Sequence, residues 1–162
     1  MAGMKTTVLC VGKIKDRWIA EGVQEYAGRL KRFGTFQVVE VADERVPERF
    51  SQKELERAMD REGDRLLAKW PKDTVAIALS PAGKALGSEK LAQFIADRRM
   101  AGEPHLTFII GGSNGIPKSV LKKCRHTMSF GPNTFPHQLF RVMLLEQIYR
   151  AEKILAGETY HK

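Results

Sequence analysis

Two short apolar runs set the strongest limit on how this chain can fold. Thr74–Leu79 (TVAIAL) and Leu106–Ile110 (LTFII) are too short for helices and are apolar at nearly every position. A strand with one wet face alternates apolar and polar residues. A strand that is apolar at successive positions is covered on both faces, as strands of parallel sheets are. Three further runs read as strands: Thr6–Gly12 (TTVLCVG), Thr35–Val41 (TFQVVEV) and the short segment from Thr127 to Phe130.

Helical periods separate them. Ile19, Val23, Tyr26, Ala27, Leu30 and Phe33 recur at helical spacing, and Gly34 stands where a helix ends. Ser51 with Glu54 three residues on is a capping-box pattern, opening a helix to about Trp70 with Leu55, Met59, Leu66 and Leu67 as its buried stripe. Ser88 is expected to cap a helix to Met100, and a short basic helix follows Gly115. Pro136 starts a helix to about Leu155, since a proline N–H is not needed in a first turn. Alternating strands and helices predict one α/β domain over residues 1–162, with a mainly parallel sheet and helices on both faces. Met1-Ala2-Gly3 before Met4 reads as a tag remnant or an alternative start and is left out of the fold argument.

The last helix has a second implication. Leu139, Phe140, Val142, Met143, Leu144, Leu145, Ile148 and Tyr149 leave it almost no polar face in its first turns. A helix apolar nearly all round must be buried all round, and 162 residues leave little room for that in one subunit. A homodimer with this helix in the interface is expected.

Charge points to a partner. Between Glu103 and Glu146 there is no acid, yet Lys118, Lys122, Lys123, Arg125 and Arg141 fall there, five of the chain's net +8. From Glu40 to Asp64, nine acids outnumber five bases. A one-sided basic stretch beside glycine loops, at pI 9.7, favours an anionic partner such as nucleic acid over a merely solvated face. Cys10 and Cys124 lie in or beside apolar runs and read as free thiols. Two cysteines and four scattered histidines give no zinc spacing. Val8–Val11 is too short for a signal core or a membrane span, so a soluble, cytoplasmic protein without a metal is expected.

The loop Gly111-Gly112-Ser113-Asn114-Gly115 follows the LTFII strand. It is not the dinucleotide fingerprint G-x-G-x-x-G, whose ribose-binding acid is also missing. Nor is it a phosphate-binding G-K-[ST] loop, and no G-x-S-x-G elbow occurs. A second loop, Gly131–Phe135, is restricted by Pro132 and Pro136. Rigid backbone there, with Phe130 or Phe135 near it, suits a flat heterocycle such as adenine better than a phosphate.

The combination I-I-G-G-S-N-G (109–115), S-F-x-x-x-T-F-P-H-Q (129–138), L-x-E-Q-x-Y-R-A ending at Ala151, V-G-K at 11–13 and the closing Tyr160-His161-Lys162 resembles the pseudouridine N3-methyltransferases of large-subunit ribosomal RNA, within the SPOUT or α/β-knot superfamily. The resemblance runs from Met4 to Lys162. It implies S-adenosylmethionine as methyl donor, a homodimer and a C-terminal trefoil knot, which composition alone would not suggest. Carried onto this sequence, it puts the cofactor against Leu79, Gly111, Phe130, Gly131, Pro132, Asn133, Thr134 and Phe135. One departure is Ser80, where the family often has an acid. Contacts there are mainly backbone, so little effect on binding is expected.

The implied chemistry is methyl transfer to a ring nitrogen bearing a weakly acidic proton. His161 and Tyr160 are the first candidates near the target base, set against a frayed terminus. Arg150 is placed to meet phosphate or the ring carbonyls, with an i,i+4 pair to Glu146 as its alternative. Glu146 is that pair or an interface contact, and His137 orients a loop, touches substrate or is structural. Lys13, Lys15, Arg17, Lys118, Lys122 and Lys123 are backbone contacts for RNA. No appended RNA-binding module is visible, so ribosomal RNA within the assembled ribosome is the expected partner. A non-catalytic RNA-binding module is the reading from another class, and cofactor binding separates the two. A metabolic nucleotide-binding protein is disfavoured by the missing fingerprint.

Overall fold

The structure is a computed structural model and describes residues 4–162, so Met1-Ala2-Gly3 lie outside it. Its elements in chain order are β1 (Lys5–Val11), α1 (Arg17–Leu30), a 3-10 turn (Lys31–Phe33), β2 (Thr35–Val41), α2 (Gln52–Ala68), β3 (Val75–Ala85), α3 (Ser88–Met100), β4 (His105–Ile110), α4 (Lys118–Leu121), β5 (His126–Ser129) and α5 (His137–Leu155). The strands form one five-stranded sheet, all parallel, in the order β2-β1-β4-β3-β5.

Successive strand residues feed opposite layers. Val8, Cys10, Ile77, Phe108 and Ile110 pack with Val23, Leu91, Ile95, Leu144 and Ile148, so α1, α3 and α5 cover one face. Leu9, Val11, Ala76 and Ile109 pack with Leu66 and Val120, so α2 and α4 cover the other. This two-sided burial is what the unbroken apolar runs require. Cys10 is buried, Cys124 is half-buried, and both are free thiols. Burial pushes the Cys10 thiol up to about 12 and that of Cys124 up to about 11, so neither is a thiolate at neutral pH. No helix among the described residues is long and apolar enough to cross a membrane.

Several details differ from the sequence expectation. The stripe of α2 is centred on Ala58, Glu62, Gly63 and Leu66, while Leu55, Met59 and Leu67 are only half-buried. Gly63 lets α4 approach, since a Cβ there would stand 2.7 Å from the Ser119 hydroxyl. Ser51 caps α2 by accepting from the Glu54 amide. Ser88 does not cap α3, where Gly87 holds the cap position. The Ser88 hydroxyl instead donates to Gln147 Oε1 at 2.6 Å, tying α3 to α5. Pro136 is the cap residue of α5 rather than its first helical residue. Within one chain, α5 is also not buried all round. Leu144, Leu145 and Ile148 are in the core, whereas Leu139, Phe140, Val142 and Met143 remain partly exposed.

The strand order positions the site. β3 lies between β4 and β5, so the loops that follow β4 and β5 flank its C-terminal end. β3 itself is irregular there. Met128 of β5 faces both Leu79 and Lys84, and the intervening residues loop out. The loop is pressed onto β5, since a Cβ at Gly83 would stand 2.6 Å from the Met128 amide nitrogen.

Candidate active site

A cavity of about 490 Å³ opens at the C-terminal ends of β3, β4 and β5. That size is typical of small-molecule sites. Two glycine-bearing loops and the bulge of β3 build its rim. In the first loop, the Gly115 amide donates to the Gly112 carbonyl at 3.0 Å, folding the chain back on itself. A Cβ at Gly111 would stand 2.4 Å from the carbonyl of Gly115, so only glycine permits this approach. In the second loop, the Ser129 hydroxyl lies 3.1 Å from the Gly131 amide, from which it accepts, and 3.0 Å from the Gly131 carbonyl, to which it donates. Gly131 has φ +109, a conformation that favours glycine.

Leu79, Ile110, Ile116, Met128, Phe130 and Phe135 give the cavity apolar walls. Phe140 of α5 lies behind two of them, with ring centroids 5.0 Å from Phe130 and 6.3 Å from Phe135. Among the described residues, no lysine, arginine, aspartate or glutamate lines the cavity. Its polar groups are backbone N–H and C=O, a few hydroxyls, Asn133 and His137. Burial first, and then the nearby Arg141 charge, hold the His137 pKa below the ordinary imidazole value, so this ring is neutral at pH 7. Such a cavity suits a flat, uncharged ring held by backbone and aromatic surface. It offers no cation to a phosphate and none to repel a sulfonium, so the adenosine and sulfonium parts of S-adenosylmethionine fit its chemistry.

Of the residues expected at the cofactor, Leu79, Gly111, Phe130, Gly131, Asn133, Thr134 and Phe135 line this cavity, and Pro132 does not. His137 lines it too, together with Ser80 and Phe140. The roles of Phe140 and the β3 bulge carried no motif by which sequence could have marked them.

The remaining candidates gather elsewhere. Glu146 accepts from Arg150 at 2.7 Å and from the Tyr160 hydroxyl at 2.9 Å. The Arg150 guanidinium lies 4.7 Å from the centre of the Tyr160 ring and 3.3 Å, through Nη1, from His161 Nδ1. Arginine can only donate, so Nδ1 accepts in that contact, and Nε2 lies 3.4 Å from Glu89. Burial and the Glu146 hydrogen bond push the Tyr160 phenol up to about 12, keeping it a donor. The tail is not frayed: Tyr160 packs edge-on against Tyr149, and Glu158 pairs with both Arg32 and Lys153. The i,i+4 pair of Arg150 with Glu146 is present and is the base of this cluster.

None of Glu146, Arg150, Tyr160 or His161 lines the cavity. Phe140 and Arg150 are ten residues apart on α5, about 15 Å along the axis. Within one chain the cluster and the cavity are therefore separate.

Arg141 corrects the charge argument. It was counted with the basic ligand-facing stretch, but it is fully buried, paired with Glu40 and donating to the Gly12 carbonyl at 3.0 Å. Lys118, Lys122, Lys123 and Arg125 are exposed. Among the described residues, no three His, Cys, Asp or Glu side chains converge as metal ligands.

Comparison with known proteins identifies the family. The family described as "Predicted SPOUT methyltransferase" matches residues 4–161. The protein named "Ribosomal RNA large subunit methyltransferase H" from Carboxydothermus hydrogenoformans is 48% identical over 159 residues, covering 98% of this chain and all of that protein. A probable methylase family protein from Haemophilus influenzae has a similar fold, with TM-score 0.53 at 10% identity over 99% of this chain and 71% of its own. A putative methyltransferase from Legionella pneumophila, solved with the cofactor SAM, gives TM-score 0.50 at 13% identity over 92% of this chain and 66% of its own. The chain belongs to the SPOUT methyltransferase family.

Proposed function

We propose that this SPOUT methyltransferase transfers a methyl group from S-adenosylmethionine to ring nitrogen N3 of a pseudouridine in large-subunit ribosomal RNA. The observation that carries the reading is the cavity itself: an apolar, cation-free pocket framed by two backbone loops, in a chain 48% identical to a protein named for ribosomal RNA methylation. Leu79, Gly111 and the backbone from Phe130 to Phe135 would hold the cofactor. When bound, it supplies an already activated electrophile, so the protein's tasks are alignment and handling of the proton on the target nitrogen.

The tail cluster suits the second task. The Arg150 guanidinium and the His161 Nε2 hydrogen are donors for the carbonyls that flank the ring nitrogen. Donation there stabilises the negative charge left when the N3 proton passes to solvent water and the nitrogen lone pair takes the methyl group. Tyr160, protonated, and Glu146 hold the donors in place. Because cavity and cluster are apart within one chain, the working unit on this reading is a homodimer in which one copy's tail meets its partner's cavity. The half-exposed Leu139, Val142 and Met143 of α5 give the apolar surface for that contact.

On the same reading the whole chain acts as one α/β-knot domain, in the cytoplasm, with the C-terminal half threaded as a trefoil. The β4-β3-β5 order, with loops crossing either side of the β3 end, supports that path. On this reading the substrate is large-subunit ribosomal RNA within the assembled ribosome rather than free RNA.

The test is titration calorimetry with S-adenosylmethionine, followed by methyl transfer to ribosomes, for the natural sequence and Gly111→Arg. Heat and transfer that are both lost in the variant support the reading. Folded protein without heat would favour a non-catalytic RNA-binding module. Efficient methylation of a short isolated hairpin would remove the ribosome from the proposal.

A further inference from the structure

We infer that Trp18 and the loop before it form a second RNA contact beside the cavity, in which the indole stacks on an unpaired base next to the target nucleotide. The inference rests on the functional reading above, in that it presupposes an RNA substrate. Trp18 is 62% exposed, in the first turn of α1, where nothing in the fold requires a large aromatic. Three cations surround it in sequence. Lys13 and Lys15 are exposed, and the Arg17 side chain is 93% exposed even while paired with Glu21 at 2.9 Å.

The loop is held in place rather than loose. The Lys15 amide donates to Gln138 Oε1 at 3.1 Å, and Gln138 Nε2 donates back to the Lys13 carbonyl at 3.0 Å. The Ile14 amide donates to Glu40 Oε2 at 3.2 Å. Gln138 follows His137, which lines the cavity, and a Cβ at Gly12 would stand 3.8 Å from the His137 ring. Three side-chain bonds thus fix a loop bearing two lysines, which runs into Arg17 and the exposed indole at the start of α1, beside His137. Acids are present too: Asp16 within the loop, Glu21 on α1, and Asp43 close enough to act on His137.

An exposed indole among cations fits a nucleic-acid strand, which offers a flat base for the ring and phosphates for the lysines. An acidic protein surface would use the lysines but leave the indole without a flat partner. The target nucleotide would meet the cofactor at the cavity and this loop would take the neighbouring base, so the contact would help choose the site without touching the reacting atoms.

The experiment uses the full chain with whole ribosomes. Trp18→Ala, Trp18→Phe and the double variant Lys13→Ala/Lys15→Ala are compared with the natural sequence for ribosome binding, methyl transfer, cofactor heat and molecular mass. In Trp18→Ala, KM for ribosomes and the dissociation constant should rise about tenfold, within the range that loss of one stacked base gives. Cofactor heat and mass should stay unchanged, and kcat at saturation should stay within about twofold. Trp18→Phe should recover most of the loss. The lysine variant should weaken the salt dependence of ribosome binding. Unchanged binding and KM in Trp18→Ala would overturn the inference while leaving the methyltransferase reading intact. A fall in molecular mass would overturn it in favour of a second copy covering the indole. If the natural sequence binds ribosomes through Trp18 but transfers no methyl group, the functional reading has failed and the contact stands.

Discussion

Arg141 and Glu40 form an ion pair that joins the start of α5 to the end of β2, with the guanidinium wholly out of solvent. The Glu40 carboxylate is about one-third exposed, and the arginine also serves the Gly12 carbonyl. Removing the arginine leaves that carbonyl unpaired in the interior and opens a large void. Arg141→Ala should lower stability by roughly 3 kcal/mol, near the low end for breaking a buried pair because Glu40 can rehydrate. Urea unfolding monitored by circular dichroism measures this, and a loss below about 1 kcal/mol would show that the pair is not structural.

The close approach of Gly111 to Gly115 gives a sharper expectation for binding. Gly111→Ala puts a methyl group where 2.4 Å is available, so the first loop must move. Cofactor affinity should fall at least about tenfold, roughly 1.4 kcal/mol, while the sheet beneath stays folded. Calorimetry on protein with an unchanged far-ultraviolet spectrum decides it. Retained affinity would mean that the first loop does not touch the cofactor.

A composite site can be tested by mixing. Gly111→Arg should lack cofactor binding, and His161→Ala should bind cofactor but lose about a hundredfold or more in kcat. If tail and cavity meet across a two-fold axis, mixed dimers carry one intact site, and random exchange restores about a quarter of the activity. No restoration after exchange verified by mass would place the tail over its own chain's cavity.

Acid should weaken the fold in a defined window. Burial lowers the pKa values of His105, His126 and His137. Above pH 6.5 both folded and unfolded forms are neutral. Below it the unfolded form takes up protons first, so stability falls as pH drops through the unfolded value. Glu62 and Glu152 act in the opposite sense. Burial raises their pKa values, so they favour the folded form in acid and lose that contribution as pH rises through the folded values. Unfolding midpoints at pH 7.5 and 5.5 should show the net loss at the lower pH. His126→Gln, which removes a ring packed edge-on to Phe94, should flatten the profile, and an unaltered slope would assign the acid loss to other groups.

How far each feature could be seen in advance follows from how it is encoded. Val75–Leu79 and Leu106–Ile110 are apolar at nearly every step because both faces are covered, so sheet type was visible from those residues. The two glycine loops were visible for a similar reason, since only glycine tolerates the crowding at 111 and the positive φ at 131. Arg141 was misassigned because its partners, Glu40 and the Gly12 carbonyl, lie more than a hundred residues away, and no local pattern separates a buried arginine from a solvated one. Glu62 was missed in the same way. It sits on a helix whose period alone would place a leucine there, yet it accepts from the Glu44 amide at 2.9 Å beneath the first glycine loop. The β3 bulge depends on the register between Leu79, Lys84 and Met128, which exists only once the strands pair.

The cavity's polar rim is mostly main chain, supplied by two loops whose shape is set by glycines, prolines and one serine clip. Recognition of that kind is stored in the route the polypeptide takes, not in the groups hung upon it. Glycines apart, swapping side chains one at a time around the rim would change little, and a small molecule competing for the pocket would find few positions where a viable variant could escape it.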